Sequence, residues 1–98
     1  MQTDVETVQD YYNQNAELEW RRLDEHPFEF LLSTYMMERY IKPGDRVLDI
    51  GGGPGRYSIH FAKRGCQVTL VDLSEENVRL AQQKAAEAGV TIETHAAN

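Results

Sequence analysis

Val47-Leu48-Asp49-Ile50-Gly51-Gly52-Gly53-Pro54-Gly55 is the stretch on which the reading of this chain turns. A short β-branched and aliphatic run ends in a carboxylate, then breaks into four glycines and a proline. Apolar runs of this length bounded by turn residues read as buried strands. Glycines at such density supply left-handed backbone angles, or let something approach the main chain where a Cβ would intrude. Residues 56–63, which follow, have helical spacing. The unit is therefore strand, glycine loop, helix. Open α/β sheets use that unit to hold a nucleotide-like ligand at the carboxyl end of the first strand.

Glycine spacing bears on which ligand is held. The dinucleotide fingerprint is G-x-G-x-x-G, its third glycine letting the helix sit close to the strand. Counted from Gly51 the third position is Arg56, and from Gly53 it is Ser58, so neither register completes it. What stands here is Asp49-x-Gly51-x-Gly53-x-Gly55. In these residues the chain resembles the class I S-adenosylmethionine-dependent methyltransferases, whose first motif is an acidic residue followed by alternating glycines. The resemblance rests on motif over residues 47–98 and on general layout over 4–40.

Composition narrows the class. Ninety-eight residues make one domain at most, and 41% hydrophobic with 27% charged residues is globular rather than disordered. A formal charge of -6 leaves no basic footprint for DNA or RNA, so no nucleic-acid partner is expected. Cys66 is the single cysteine, which precludes an internal disulfide and fits a reducing cytoplasm. No apolar run approaches a membrane span, and Met1-Gln2-Thr3-Asp4 is no signal peptide. A soluble cytoplasmic protein is expected.

Taken in order, Thr3 and Glu6 have capping-box spacing, and Val5, Val8 and Tyr12 mark one face of a helix over 4–15. A second helical piece over 16–24 carries Leu18, Trp20 and Leu23. Pro27 suits a first helical turn. After it Phe28, Leu31, Leu32, Tyr35, Met36 and Tyr40 form the strongest amphipathic pattern of the chain. Lys42-Pro43-Gly44-Asp45 turns into the first strand. Residues 1–42 thus read as a helical cap and 43–98 as a cofactor-binding half-domain.

Beyond the loop, Ser58, Phe61 and Ala62 repeat at helical spacing and Gly65 serves as a C-terminal cap. Gln67 to Val71 is a second strand closed by Asp72. Ser74 caps a helix whose Val78, Ala81, Ala85 and Ala88 form a narrow stripe of small side chains. Gly89 ends it, and a third strand is expected over 90–95. The order β-α-β-α-β, with right-handed crossovers, predicts an α/β, Rossmann-like parallel sheet in strand order 3-2-1.

Asp72 closes the second strand, where a carboxylate accepts two hydrogen bonds from a ribose diol; the competing reading is a solvated loop aspartate. Nicotinamide and methyl-donor sites both use such an acid. A cationic ligand favours a carboxylate such as Asp49 nearby, whereas a pyrophosphate favours free amides and a helix N-terminus. The resemblance implies that Asp49 lies near the donor ammonium and that the backbone of Gly51, Gly52, Gly53 and Gly55 wraps its aminoacyl part. It also implies that Leu73 packs on the adenine and that Asn98, after the third strand, binds the adenine amino group.

The N-terminal helices of the family often cover the cofactor and part of the acceptor pocket. That gives Tyr11, Tyr12 and Trp20 a role, although aromatics on an amphipathic helix also serve as plain core. Arg56 reads either as a partner of the donor carboxylate or as an exposed loop arginine. Cys66 reads as a small buried hydrophobe. His26, His60 and His95 have no ligand spacing, so no metal site is expected.

The implied function is S-adenosylmethionine-dependent methyl transfer to a small-molecule acceptor, with this chain supplying the cofactor-binding half. No general base or acceptor-binding residue is evident. Two other readings stay open: a nicotinamide- or flavin-binding module, and a non-catalytic interaction domain. With only three strands encoded, Arg46 to Ile50 is expected to be an open edge. The isolated chain should then lack turnover, being part of a longer enzyme or a homo-oligomer that completes the sheet in trans.

Overall fold

The computed structural model describes residues 16–18, 20, 21 and 27–97. The helix expected over 4–15, with Tyr11 and Tyr12, lies outside the described residues, as do His26 and Asn98. Of the second expected helical piece, 16–18, 20 and 21 are helical.

Three strands, β1 (Arg46–Ile50), β2 (Gln67–Asp72) and β3 (Glu93–Ala96), form one parallel sheet in the order β1-β2-β3. Val47 lies opposite Val68, and Leu70 opposite Thr94. Helix α1 (Pro27–Met37) precedes β1, α2 (Arg56–Lys63) joins β1 to β2, and α3 (Glu75–Glu87) joins β2 to β3. This is the α/β, Rossmann-like arrangement and the strand order expected.

Local chemistry sets the boundaries. Helix α2 starts from Gly55, whose φ of 89° is left-handed, and gives way after Arg64 to Gly65 at φ 92°. The Ser74 hydroxyl accepts the Asn77 backbone N–H at 3.1 Å, capping α3, and Glu75 and Glu76 in its first turn suit the positive end of the helix dipole. The third strand begins at Glu93 rather than at Val90. The Val90 N–H is taken by the Ala85 carbonyl in closing α3, and Ile92 is drawn into the core, so pairing starts only where Glu93 meets Thr69.

Alternation along β2 buries Val68, Leu70 and Asp72 on the face that α2 and α3 cover. Phe61, Cys66 and Val68 make one cluster with Ile41, Val47 and Ala62 around it; Leu70, Val78 and Ala81 make a second, and Ile92 packs on both. Cys66 is thus the small buried hydrophobe expected, its thiol donating to the Lys42 carbonyl at 3.3 Å. Each fully buried Leu or Phe contributes about 1.5–3 kcal/mol, so these two clusters are what hold the helices to the sheet.

The apolar stripe of α1, which an amphipathic pattern would ordinarily turn to a core, faces outward: Phe28, Leu31, Leu32, Tyr35 and Met36 are exposed, Phe28 by 75%, as is Tyr40 in the turn beyond the helix, by 81%. The side turned inward carries Phe30 and the buried Thr34. Phe30 stacks on Tyr57 (centroids 5.0 Å apart) and edge-on to His60 (5.5 Å), while Glu38 meets the His60 ring at 2.8 Å. Thr34 returns its hydroxyl to the Phe30 carbonyl at 2.9 Å, so its burial leaves no donor unmet. Aromatic and polar pairing with α2 orients the helix, and the longer stripe is left over.

The opposite side of the sheet is equally open. Among the described residues β1 pairs only with β2, and Leu48 and Ile50 are 61% and 76% exposed. Parallel sheets ordinarily have cover on both faces. None of the described helices is long and apolar enough to cross a membrane.

Candidate functional site

The carboxyl ends of β1 and β2 carry the two acids, and the glycine loop passes between them. Asp49 is half-buried on the helix-facing side of β1, and its Oδ2 accepts the Ser58 hydroxyl at 2.6 Å. Ser58, buried in the first turn of α2, therefore couples the strand end to the helix. The carboxylate lies directly against the loop. A Cβ on Gly52 would stand 2.6 Å from Asp49 Oδ2, so any side chain here must push the carboxylate aside, although the φ is not left-handed.

Gly51 continues the ladder, its N–H reaching the Val71 carbonyl at 2.7 Å. Gly55 then turns the chain into α2 hard against α3: a Cβ there would lie 2.9 Å from the Ala81 Cβ. The small-residue stripe of α3 permits this approach, and the loop is clamped between β1 and α3.

Asp72 is no solvated loop residue. It is 7% exposed, and its Oδ2 accepts the Gly53 N–H at 2.9 Å. Its Oδ1 accepts the Ser74 N–H at 2.9 Å and the Asn77 side-chain amide at 3.2 Å. An ionised carboxylate offers about four acceptor directions; three are taken from within the protein. Leu73, next in the chain, is half-buried. The structure thus brings Asp49, Gly51, Gly52, Gly53, Gly55, Asp72 and Leu73 to one end of the sheet.

Arg56 departs from the exposed-loop reading. It is half-buried at the start of α2, with its guanidinium 4.7 Å from the Trp20 ring centroid and 5.2 Å from that of Phe30. Lys84 approaches Trp20 from α3 at 5.1 Å. Cation–π attraction of about 0.5–2 kcal/mol per pair fastens Trp20 across α2 and α3. Sequence reasoning put Ser58 in the helical repeat of α2 without a site role and passed over Asn77, each a polar residue at a buried helical position.

A model of the methyltransferase domain matches residues 47–98, more than half of the chain. The chain belongs to the methyltransferase domain family. This methyltransferase-family chain is 35% identical over 79 residues to a ubiquinone biosynthesis O-methyltransferase of Hahella chejuensis, matching 81% of itself and 32% of that protein. It is 49% identical over 47 residues to a putative ribosomal RNA large subunit methyltransferase of Methanocaldococcus jannaschii, matching 48% of itself and 12% of that protein. The methyltransferase-family chain therefore spans less than a third of the length of these curated relatives. Among solved structures it is similar to magnesium protoporphyrin IX methyltransferase from Synechocystis PCC 6803 with bound S-adenosylmethionine. That likeness has a TM-score of 0.75 at 26% identity and takes in all of this chain and 56% of the other.

Proposed function

We propose that this chain binds S-adenosylmethionine and is the donor-binding part of an S-adenosylmethionine-dependent methyltransferase. The carrying observation is the Asp49 carboxylate beneath Gly52. A carboxylate there lines the glycine loop with negative charge, which suits a ligand bearing a sulfonium and an ammonium. A pyrophosphate, which binds at free amides of a helix N-terminus, would meet that charge at short range.

In this reading Asp49 faces the donor ammonium and the Gly51–Gly55 backbone wraps the aminoacyl part. Asp72 takes a ribose hydroxyl at the acceptor direction left on Oδ2. Leu73 packs on the adenine, and Asn98 binds its amino group. The bound donor supplies a methyl group for in-line displacement; the residues named here align it and shield it from water.

The relatives that share this segment are named for different acceptors, an O-methyl acceptor in ubiquinone biosynthesis, ribosomal RNA and magnesium protoporphyrin IX. That agrees with a segment that reads the donor and leaves acceptor choice to other residues. The acidic charge of the chain favours a small-molecule acceptor over a polyanion.

Calorimetric titration with S-adenosylhomocysteine, with NADH in a parallel cell, tests the reading. Binding heat with the homocysteine compound alone supports it. Heat with NADH alone assigns the loop to a dinucleotide.

A further inference from the structure

Asn77 has an arrangement that folding alone does not account for. It is wholly buried in the first turn of α3, beside the core residues Val78 and Ala81. Its amide nitrogen donates to Asp72 Oδ1 at 3.2 Å, while its Oδ1 is buried with no hydrogen-bond partner among the described residues. Half of this side chain's polar capacity is therefore desolvated with nothing in return, which destabilises a fold. A leucine, branched at the same carbon though bulkier, would remove the orphaned acceptor at the expense of the donor on Asp72. The one polar contact of the side chain, among the described residues, is with the carboxylate assigned to the ribose.

We infer that Asn77 is a positioning residue: it holds the Asp72 carboxylate in the plane that presents Oδ2 to the ligand. This rests on the donor-site reading above. Two donors on Oδ1, the Ser74 N–H and the Asn77 amide, fix both the torsion and the tilt of the carboxylate. With the amide removed, the Gly53 and Ser74 N–H groups still hold one oxygen each, but the tilt of the carboxylate is less fixed and the acceptor direction on Oδ2 less well aimed. A purely structural role and a positioning role separate in binding. A purely structural amide leaves the preference for the ribose hydroxyls alone, whereas a positioning amide sets that preference, whatever it adds to the fold.

The test takes the full chain with Asn77→Leu. Melting temperature is measured without ligand, and dissociation constants are measured for S-adenosylhomocysteine and for its 2′,3′-dideoxy analogue. Melting temperature serves to establish that the variant is folded, since losing the orphaned acceptor and losing a donor on Asp72 act on stability in opposite directions. Binding of S-adenosylhomocysteine should weaken about tenfold, the scale of one hydrogen bond to a charged group, and the preference over the dideoxy analogue should shrink by a similar factor. Should the leucine variant fail to fold, Asn77→Ala, which adds no bulk, takes its place; a folded variant that keeps the wild-type preference for S-adenosylhomocysteine over the dideoxy analogue shows the amide to be structural and overturns the inference. So does a variant that binds S-adenosylhomocysteine as the wild type does. If the wild-type chain itself binds none, the donor-site reading falls and takes this inference with it.

Discussion

The backbone N–H of Gly53 donates to Asp72 Oδ2 over 2.9 Å, joining the middle of the glycine loop to the end of β2 across nineteen residues of chain. Together with the Gly51 N–H on the Val71 carbonyl, this bond makes the loop an extension of the sheet rather than a flap above it. The same carboxylate also anchors the start of α3 through Ser74 and Asn77. Asp72 is thus the knot of the site, and its removal is felt in the fold as well as in the ligand.

Asp72→Ala should therefore lower stability by about 1–3 kcal/mol, the cost of leaving a buried donor without its acceptor. A solvated loop aspartate would have little to lose, but Asp72 is 7% exposed and holds three protein donors. Urea unfolding of the variant measures it. S-adenosylhomocysteine binding should weaken by a further 1.5–3 kcal/mol or so, and wild-type affinity in a folded variant would remove Asp72 from the ribose site.

Gly55→Ala meets two obstacles, a left-handed φ and the Ala81 side chain at 2.9 Å. Gly44→Ala meets only the first, since nothing lies within 4 Å of its added Cβ at φ 91°. Strained backbone costs about 1–3 kcal/mol, so both variants should be destabilised and Gly55→Ala the more. Equal losses in thermal denaturation would mean that α3 moves aside freely and does not clamp the loop.

Gly52→Ala isolates the Asp49 contact, because its backbone angle is one any residue adopts. The methyl group must displace the carboxylate, so donor binding should fall more than stability does. Ser58→Ala removes the 2.6 Å bond to Asp49 and should weaken S-adenosylhomocysteine in the same direction, by about 1.5–3 kcal/mol at most. Titration of both variants against the wild type checks this. Unchanged affinity in both would detach Asp49 from the ammonium.

The open edge and face of β1 should make this chain associate. Leu48 and Ile50, exposed by 61% and 76%, offer apolar surface on a strand whose outer edge no described strand pairs. Leu48→Lys with Ile50→Lys should shift the species seen in light scattering toward monomer at the same protein concentration. A wild-type chain that is already monomeric, and that turns over a methyl acceptor, would contradict an incomplete sheet.

The local grammar of this chain was decisive for its elements. Gly55 and Gly65 delimit α2, Ser74 and Gly89 delimit α3, and the β-branched run into Asp72 delimits β2, because a turn glycine, a capping hydroxyl and a period-2 pattern act over a few residues. The Asp49-Gly-Gly-Gly spacing gave the family in the same way. The partners of each group were settled by tertiary structure alone. No pattern in α1 tells which of its two faces meets α2, since an apolar stripe records only that some surface could be covered. Phe30 with Tyr57 and His60, and Glu38 with His60, decided the matter across many intervening residues. Likewise Asp72 was visible as a strand-end acid, but its three donors come from the glycine loop after β1 and from the start of α3. Hydrogen bonds and packing depend on distance in space, and those distances exist only once the crossovers have folded the chain back on itself.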